Sequence, residues 1–192
     1  MKLIILDRDG VINQDRDDFV KSADEWIPIE GSMDAIAFLT QAGYTVAVAT
    51  NQSGIGRKYF TVQDLTEMHA KMHRLAVQAG GAIDGIWFCP HTAADNCDCR
   101  KPKPGMICDI LERFKADPAE TWLVGDSLRD LQAVDAAGGK PALVLTGKGK
   151  KTLSEHENEL PENTQIFDNL LAFSQYIMQE TAQDRADGQA NP

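Results

Sequence analysis

Short apolar runs that alternate with helical patterns constrain this chain more than any other feature. Lys2–Leu6, Tyr44–Ala49, Gly85–Cys89, Thr121–Val124 and Pro141–Leu145 have the length and apolar content of strands buried on both faces. Helix signals lie between them. Ser32 can cap a helix that stops at Gly43, and Thr61 a longer one that runs towards Gly80-Gly81. Pro104 can open a helix through about Phe114, Leu128–Ala137 is stopped by Gly138-Gly139, and Asp168 can cap a last helix through about Gln179. Strands separated by helices make a parallel sheet, because each parallel connection needs a crossover. The expected fold class is α/β, a parallel sheet with helices on both faces. One domain is expected over 1–182, followed by a polar, disordered tail over 183–192.

Two stretches break the alternation. Asn13–Ile29 is rich in Asp, and His91–Lys103 carries Cys, Asp, Asn and Pro. Long irregular segments in a compact domain are usually functional or stapled by a metal. Both leave the sheet at the carboxyl ends of strands, where open α/β sheets bind ligands.

Asp7-Arg8-Asp9-Gly10 follows the first apolar run directly. In extended backbone Asp7 and Asp9 share a face, and Gly10 lets the chain turn. Gly125-Asp126 ends the fourth run, which in a doubly wound sheet can lie beside the first. Three carboxylates at one place repel unless a hard cation sits among them, and Mg²⁺ prefers oxygen ligands and keeps room for a substrate phosphate. An Asp-x-Asp-Gly turn alone would be unremarked, since Asp and Gly dominate turns. Its position after a strand, with a second strand ending in Gly-Asp, favours chemistry: a carboxylate can attack phosphorus and hold the phosphoryl group covalently.

Cys89-Pro-His91 and Cys97-Asp-Cys99 supply three thiolates and one imidazole, a closed tetrahedral zinc set with no position left for water. Zn²⁺ would then fold a loop that has no apolar core, and would fix the Arg100-Lys101-Pro102-Lys103-Pro104 segment behind it. The alternative is a redox dithiol at Cys97 and Cys99. Cys108 is expected as a small core residue, and His69, His73 and His156 as packing or surface residues.

The 192 residues carry a net charge of -10, which opposes nucleic-acid binding. No apolar run approaches the roughly 20 residues of a membrane span. Met1–Leu6 leads straight into charged residues, so no export signal is expected and the protein is placed in the reducing cytoplasm.

Asp7-Arg8-Asp9-Gly10-Val11, Thr50-Asn51-Gln52, Arg100-Lys101 and Gly125-Asp126-Ser127-Leu128-Arg129-Asp130 together resemble the four motifs of the haloacid dehalogenase superfamily of phosphatases, in order. The resemblance implies a Rossmann-like sheet, here without a large cap domain and with a zinc-stapled loop. It implies that Asp7 is the nucleophile and that Asp9 protonates the leaving alkoxide and then takes a proton from water. Thr50 would donate to the phosphoryl group and Lys101 would balance its charge. Asp7, Asp126 and the main-chain carbonyl of Asp9 would hold Mg²⁺, with Asp130 behind them or at the surface. Thr50, Asn51, Gln52 and Ser53 would line the pocket, Arg100 would contact substrate, and Asp15 to Asp18 would lie near sugar hydroxyls. Arg57 and Arg16 are candidates for a second phosphate. Within the superfamily, the cysteine loop narrows the resemblance to phosphatases of a heptose 1,7-bisphosphate, used for ADP-heptose and lipopolysaccharide, and of histidinol phosphate. Asp9-Gly10-Val11-Ile12-Asn13 and Asn51-Gln52-Ser53-Gly54-Ile55 favour the heptose branch. Histidinol phosphate stays the alternative. A catalytically dead, zinc-stapled binding module would be expected to have lost a motif residue, and a mutase to carry a cap. The expected partner is a small sugar phosphate, the expected state a monomer.

Overall fold

The computed structural model of the chain describes residues 1–189. Its strands are β1 Leu3–Leu6, β2 Thr45–Asn51, β3 Gly85–Cys89, β4 Trp122–Gly125, β5 Lys140–Val144 and β6 Gln165–Phe167. All pairings are parallel, in the order β3-β2-β1-β4-β5-β6. The order reverses at β1, which lies between β2 and β4. The fourth strand thus sits beside the first, as the carboxylate reading requires.

The helices are α1 Ser32–Gln41, α2 Ser53–Gly56, α3 Val62–Gln78, α4 Gly105–Phe114, α5 Leu128–Ala136, α6 Gly149–His156 and α7 Leu170–Gln189. They cover both faces. Alternate residues of β1 point opposite ways, so Ile4 and Leu6 pack with Ile36, Leu39, Leu65, Met68 and Phe173 of α1, α3 and α7. Leu3 and Ile5 pack with Met106, Ile107, Ile110 and Val134 of α4 and α5. All four β1 residues are fully buried, which is why the run reads as continuously apolar. Among the described residues no helix is long and apolar enough to cross a membrane.

Thr61 closes a capping box with Asp64 at the start of α3, and Pro104 stands just before α4. Other expectations need correction. Ser32 does not cap α1: its hydroxyl donates to the Ile12 carbonyl at 2.7 Å, while Gly31 takes the capping position with φ 77°. The start of α7 is capped by Asn169, whose Oδ1 accepts from Ala172 N at 2.9 Å, not by Asp168. That helix also passes the expected end at Gln179, because Ile177 and Thr181 are buried, and Thr181 meets the Tyr44 hydroxyl at 3.2 Å. Residues 190–192 of the expected tail lie outside the described residues. Cys108 is exposed, on the side of α4 opposite its buried Met106, Ile107, Ile110 and Leu111. The short elements α2 and β6, and the polar α6, carried no periodic signal.

Candidate active site

Asp7, Asp126 and Asp130 arrive from two neighbouring strand ends. The Asp7 amide continues the β1–β4 ladder by donating to Val124 O at 2.9 Å. Asp126 follows β4 directly, and Asp130 lies one helical turn later on α5. Each offers a carboxylate oxygen within 4.8 Å of the others. Lys101 reaches into the group from the basic segment, its Nζ 3.0 Å from Asp7 Oδ1 and 2.6 Å from Asp130 Oδ1. The ammonium also donates to Ala49 O at 2.7 Å, and the side chain is 1% exposed. Lys148 N donates to Asp126 Oδ2 at 2.8 Å, and the Thr152 hydroxyl donates to the Asp126 carbonyl at 2.9 Å.

Three buried carboxylates around one ammonium leave an excess of negative charge. Burial, then the Asp130 charge, push Asp7 up to about 7 against the opposing pull of Lys101. Burial, then Asp130 and Asp7, push Asp126 up to about 8. An all-oxygen set whose ionised form is disfavoured by its own charge fits a hard divalent cation, which inverts that preference. Asp130 was expected behind the cluster or at the surface. It is fully buried, which excludes the surface reading; one oxygen lies within 4.8 Å of Asp7 and Asp126, and the second accepts from Ser127 N at 3.1 Å in a capping box. The Ser127-x-x-Asp130 spacing was the available signal for it.

The Asp9 side chain turns the other way. Its Oδ1 accepts from Asn13 Nδ2 at 2.8 Å and its Oδ2 from Gln52 Nε2 at 2.8 Å. Arg8 Nη2 lies 2.9 Å from both oxygens and Arg8 Nε 3.2 Å from Oδ1. Burial opposes ionisation of Asp9, but the Arg8 guanidinium and these hydrogen bonds hold its carboxyl below the usual range. Gln52 Nε2 also donates to Thr50 Oγ1 at 2.8 Å, which leaves the Thr50 hydroxyl hydrogen for another acceptor.

Asp7, Asp9, Thr50, Asn51, Gln52, Ser53, Arg100, Lys101 and Asp126 all line one cavity of about 200 Å³. Asp15, Arg16, Asp17 and Phe19 of the Asp-rich segment form another wall. Arg57 is not among the lining residues. Arg129 and Lys148 are; Arg129 stands inside the last acidic motif with no role assigned to it, and nothing in the local sequence marked Lys148, whose Nζ crosses to Asp15 Oδ2 at 2.8 Å. The Asp-rich segment is anchored by Trp26, fully buried, and by Lys71 Nζ, which donates to Ala23 O at 2.6 Å and Trp26 O at 2.7 Å.

Cys89, His91, Cys97 and Cys99 bring four ligand atoms together at the end of β3. The Cys97 Sγ lies 3.6 Å from Cys89 Sγ and 3.4 Å from Cys99 Sγ, and His91 Nδ1 lies 3.7 and 3.4 Å from Cys89 and Cys99. These spacings are too long for disulfides. They approach the roughly 3.8 Å edge of a tetrahedron whose centre stands about 2.3 Å from each sulfur. Burial pushes the Cys89 thiol up to about 12; for Cys97 burial is outweighed by hydrogen bonds with Cys99 and Cys89, which bring it down to about 7. The loop is tied to the cavity. Gln52 N donates to Cys89 O at 2.7 Å, Arg100 Nη1 to His91 O at 3.2 Å, and Asn51 and Lys101 exchange two hydrogen bonds at 3.0 and 3.2 Å.

A family model described as haloacid dehalogenase-like hydrolase matches residues 2–138. The chain is 84% identical over 187 residues to the D-glycero-beta-D-manno-heptose-1,7-bisphosphate 7-phosphatase of Neisseria meningitidis serogroup A, serotype 4A, across 97% of this chain and 100% of that protein. The crystal structure of a D,D-heptose 1,7-bisphosphate phosphatase from Bordetella bronchiseptica, complexed with magnesium and phosphate, is similar with a TM-score of 0.91 and 55% identity. It covers 94% of this chain and 99% of that one. The corresponding structure from Burkholderia thailandensis has a TM-score of 0.74 at 50% identity, over 93% and 99% of the two chains.

Proposed function

This chain belongs to the haloacid dehalogenase-like hydrolase family, and from that premise we propose that it removes the C7 phosphate of D-glycero-β-D-manno-heptose 1,7-bisphosphate through a phospho-aspartate on Asp7. It is a phosphatase, a phosphoric monoester hydrolase. The observation that carries the substrate and its anomer is the 84% identity, over nearly the whole chain, to the Neisseria meningitidis enzyme of that name.

The cavity suits the chemistry. A carboxylate oxygen of Asp7 attacks phosphorus, the bond from phosphorus to the C7 oxygen breaks, and Asp9 gives its proton to the departing alkoxide. Water then attacks the phosphoryl group, its proton passes to Asp9, and Asp7 is regenerated as inorganic phosphate leaves. In the free enzyme Asp9 rests ionised. The proton it gives up enters with the substrate, because a phosphate charge beside Asp9 raises its proton affinity. Lys101 and the Thr50 hydroxyl take the charge of the phosphoryl oxygens. Asp7, Asp126 and the Asp9 carbonyl would hold Mg²⁺, which when bound supplies further neutralisation of that charge. Asn51 and Ser53 shape the wall, Arg100 contacts substrate, Asp15 and Asp17 accept from sugar hydroxyls, and Arg16 meets the second phosphate. Cys89, His91, Cys97 and Cys99 hold a structural Zn²⁺ that keeps Arg100 and Lys101 in place. The enzyme acts as a monomer in the cytoplasm, on a small molecule and not on nucleic acid.

The test is phosphate release with Mg²⁺ from the β- and α-anomers of heptose 1,7-bisphosphate and from histidinol phosphate. The expected order of kcat/KM is β-anomer, α-anomer, histidinol phosphate. A preference for histidinol phosphate would keep the mechanism and overturn the substrate.

A further inference from the structure

Arg8 is a fully buried charge whose role the chemistry above leaves open. It stands between Asp7 and Asp9, yet its side chain points away from the phosphoryl site into the core beneath α3. Among the described residues its only carboxylate partner is Asp9, gripped through both oxygens by Nη2 at 2.9 Å and once more by Nε at 3.2 Å. On its far side Nη1 meets Met68 Sδ at 4.0 Å and His69 Nε2 at 3.5 Å. A guanidinium can only donate, so His69 Nε2 is an acceptor and the imidazole is neutral; burial and the Arg8 charge lower His69 to about 3.

We propose that Arg8 is a positioning residue that fixes the Asp9 carboxyl where the leaving group must meet it, an inference that rests on the reading of Asp9 as the proton donor. A carboxyl that rotated away from Arg8 would strand a fully buried guanidinium with a thioether and a neutral imidazole. Asp9 therefore has one stable placement. Gln52 defines it from the cavity side, and the buried Asn13 and Arg8 enforce it from within the fold. The planar fork matters: a lysine at position 8 could reach one oxygen as a point charge but could not set the plane of the carboxyl. His69 and Met68 in turn keep the fork from turning.

The experiment compares kcat/KM for heptose 1,7-bisphosphate, whose alkoxide must be protonated, with that for 4-nitrophenyl phosphate and acetyl phosphate, whose leaving groups depart without a proton. In Arg8→Met the value for the sugar phosphate is expected to fall about 10²-fold, and that for the activated phosphates by less than about threefold. Arg8→Lys keeps the charge and is expected to fold; it shifts the same ratio by about tenfold. Equal losses on all substrates would make Arg8 merely structural, and no loss on any would remove it from the reaction; either overturns the proposal. If Arg8→Met does not fold, the ratio in Arg8→Lys decides alone. A wild-type enzyme inactive on every phosphate would instead overturn the phosphatase reading itself.

Discussion

The two groups of side chains that could hold a metal are built in opposite ways. Asp7, Asp126 and Asp130 are presented by strand ends and a helix start, and each is held by hydrogen bonds or ion pairs to the body of the fold. Of the cysteine quartet, Cys89 ends β3 and is buried, and His91, Cys97 and Cys99 hang on a loop whose residues 91–99 are half-buried or exposed and contribute no core side chain. The carboxylates are gathered against their mutual repulsion by a sheet that would exist without them. Between its tethers at Cys89 and at Arg100-Lys101, the loop has little except the quartet's side chains to hold it. A cation at the first site therefore serves chemistry at some relief to the fold, and a cation at the second serves the fold and only indirectly chemistry.

The comparison is broken most readily at Asp7. Asp7→Asn is expected to lower turnover by about 10⁴-fold or more. The melting temperature of the metal-free protein should stay level or rise, because a repelling charge is gone. Turnover near the native level would end the nucleophile assignment; a large loss of stability would mean that the carboxylates support the fold after all.

Cys97→Ser acts on the other side. The melting temperature should drop by about 5 °C or more, zinc content should fall, and activity should decline by about tenfold through the displaced Arg100 and Lys101. Full zinc retention would show that the ligands are misassigned.

A pH series sharpens the contrast. In the metal-free fold Asp7 and Asp126 keep their protons to about 7 and about 8, against an ordinary 3.8. The folded state thus binds more protons than the unfolded chain between about pH 4 and pH 8, and stability falls as pH rises through that window. Asp9, held low, loses its contribution only as pH falls below its ordinary 3.8. Mg²⁺ displaces the extra protons, so its stabilising shift should be about 3 °C larger at pH 8 than at pH 6. Equal shifts at both would sink the linkage.

The smallest effect is expected at Asp18, whose ion pairs with Arg16 and Lys21 are exposed. Asp18→Asn should move the melting temperature by less than about 1 °C, since solvent screens such pairs.

The strands around the switch point were legible because buried parallel strands are continuously apolar, and the placement of Asp7 and Asp126 followed from that. The cysteine quartet was legible because its ligands are close in sequence. What stayed hidden depends on contacts between distant segments. The depth of Arg8 reflects Met68 and His69 on α3, roughly sixty residues away. Lys148 meets Asp15 only because β5 and the Asp-rich segment open on the same edge. Ser32 and Asp168 failed as caps because a capping residue type shows where a helix can begin, and the neighbouring Gly31 and Asn169 had the better geometry.

Gly10 and Gly147 sit on opposite sides of Asp126. Both have positive φ, at 85° and 54°. A Cβ would stand 2.0 Å from Asp126 Oδ2 at Gly10, and 2.3 Å from the same oxygen at Gly147. Thr146 adds a hydroxyl that donates to Gly10 O at 2.7 Å. Two loops far apart in the chain thus touch main chain to main chain with an Asp126 oxygen wedged between them. In an exhaustive mutational scan selected for enzyme function, both positions would read as intolerant as Asp7. A map of fitness alone would count them among the reacting groups, although neither has an atom to offer the substrate beyond its backbone.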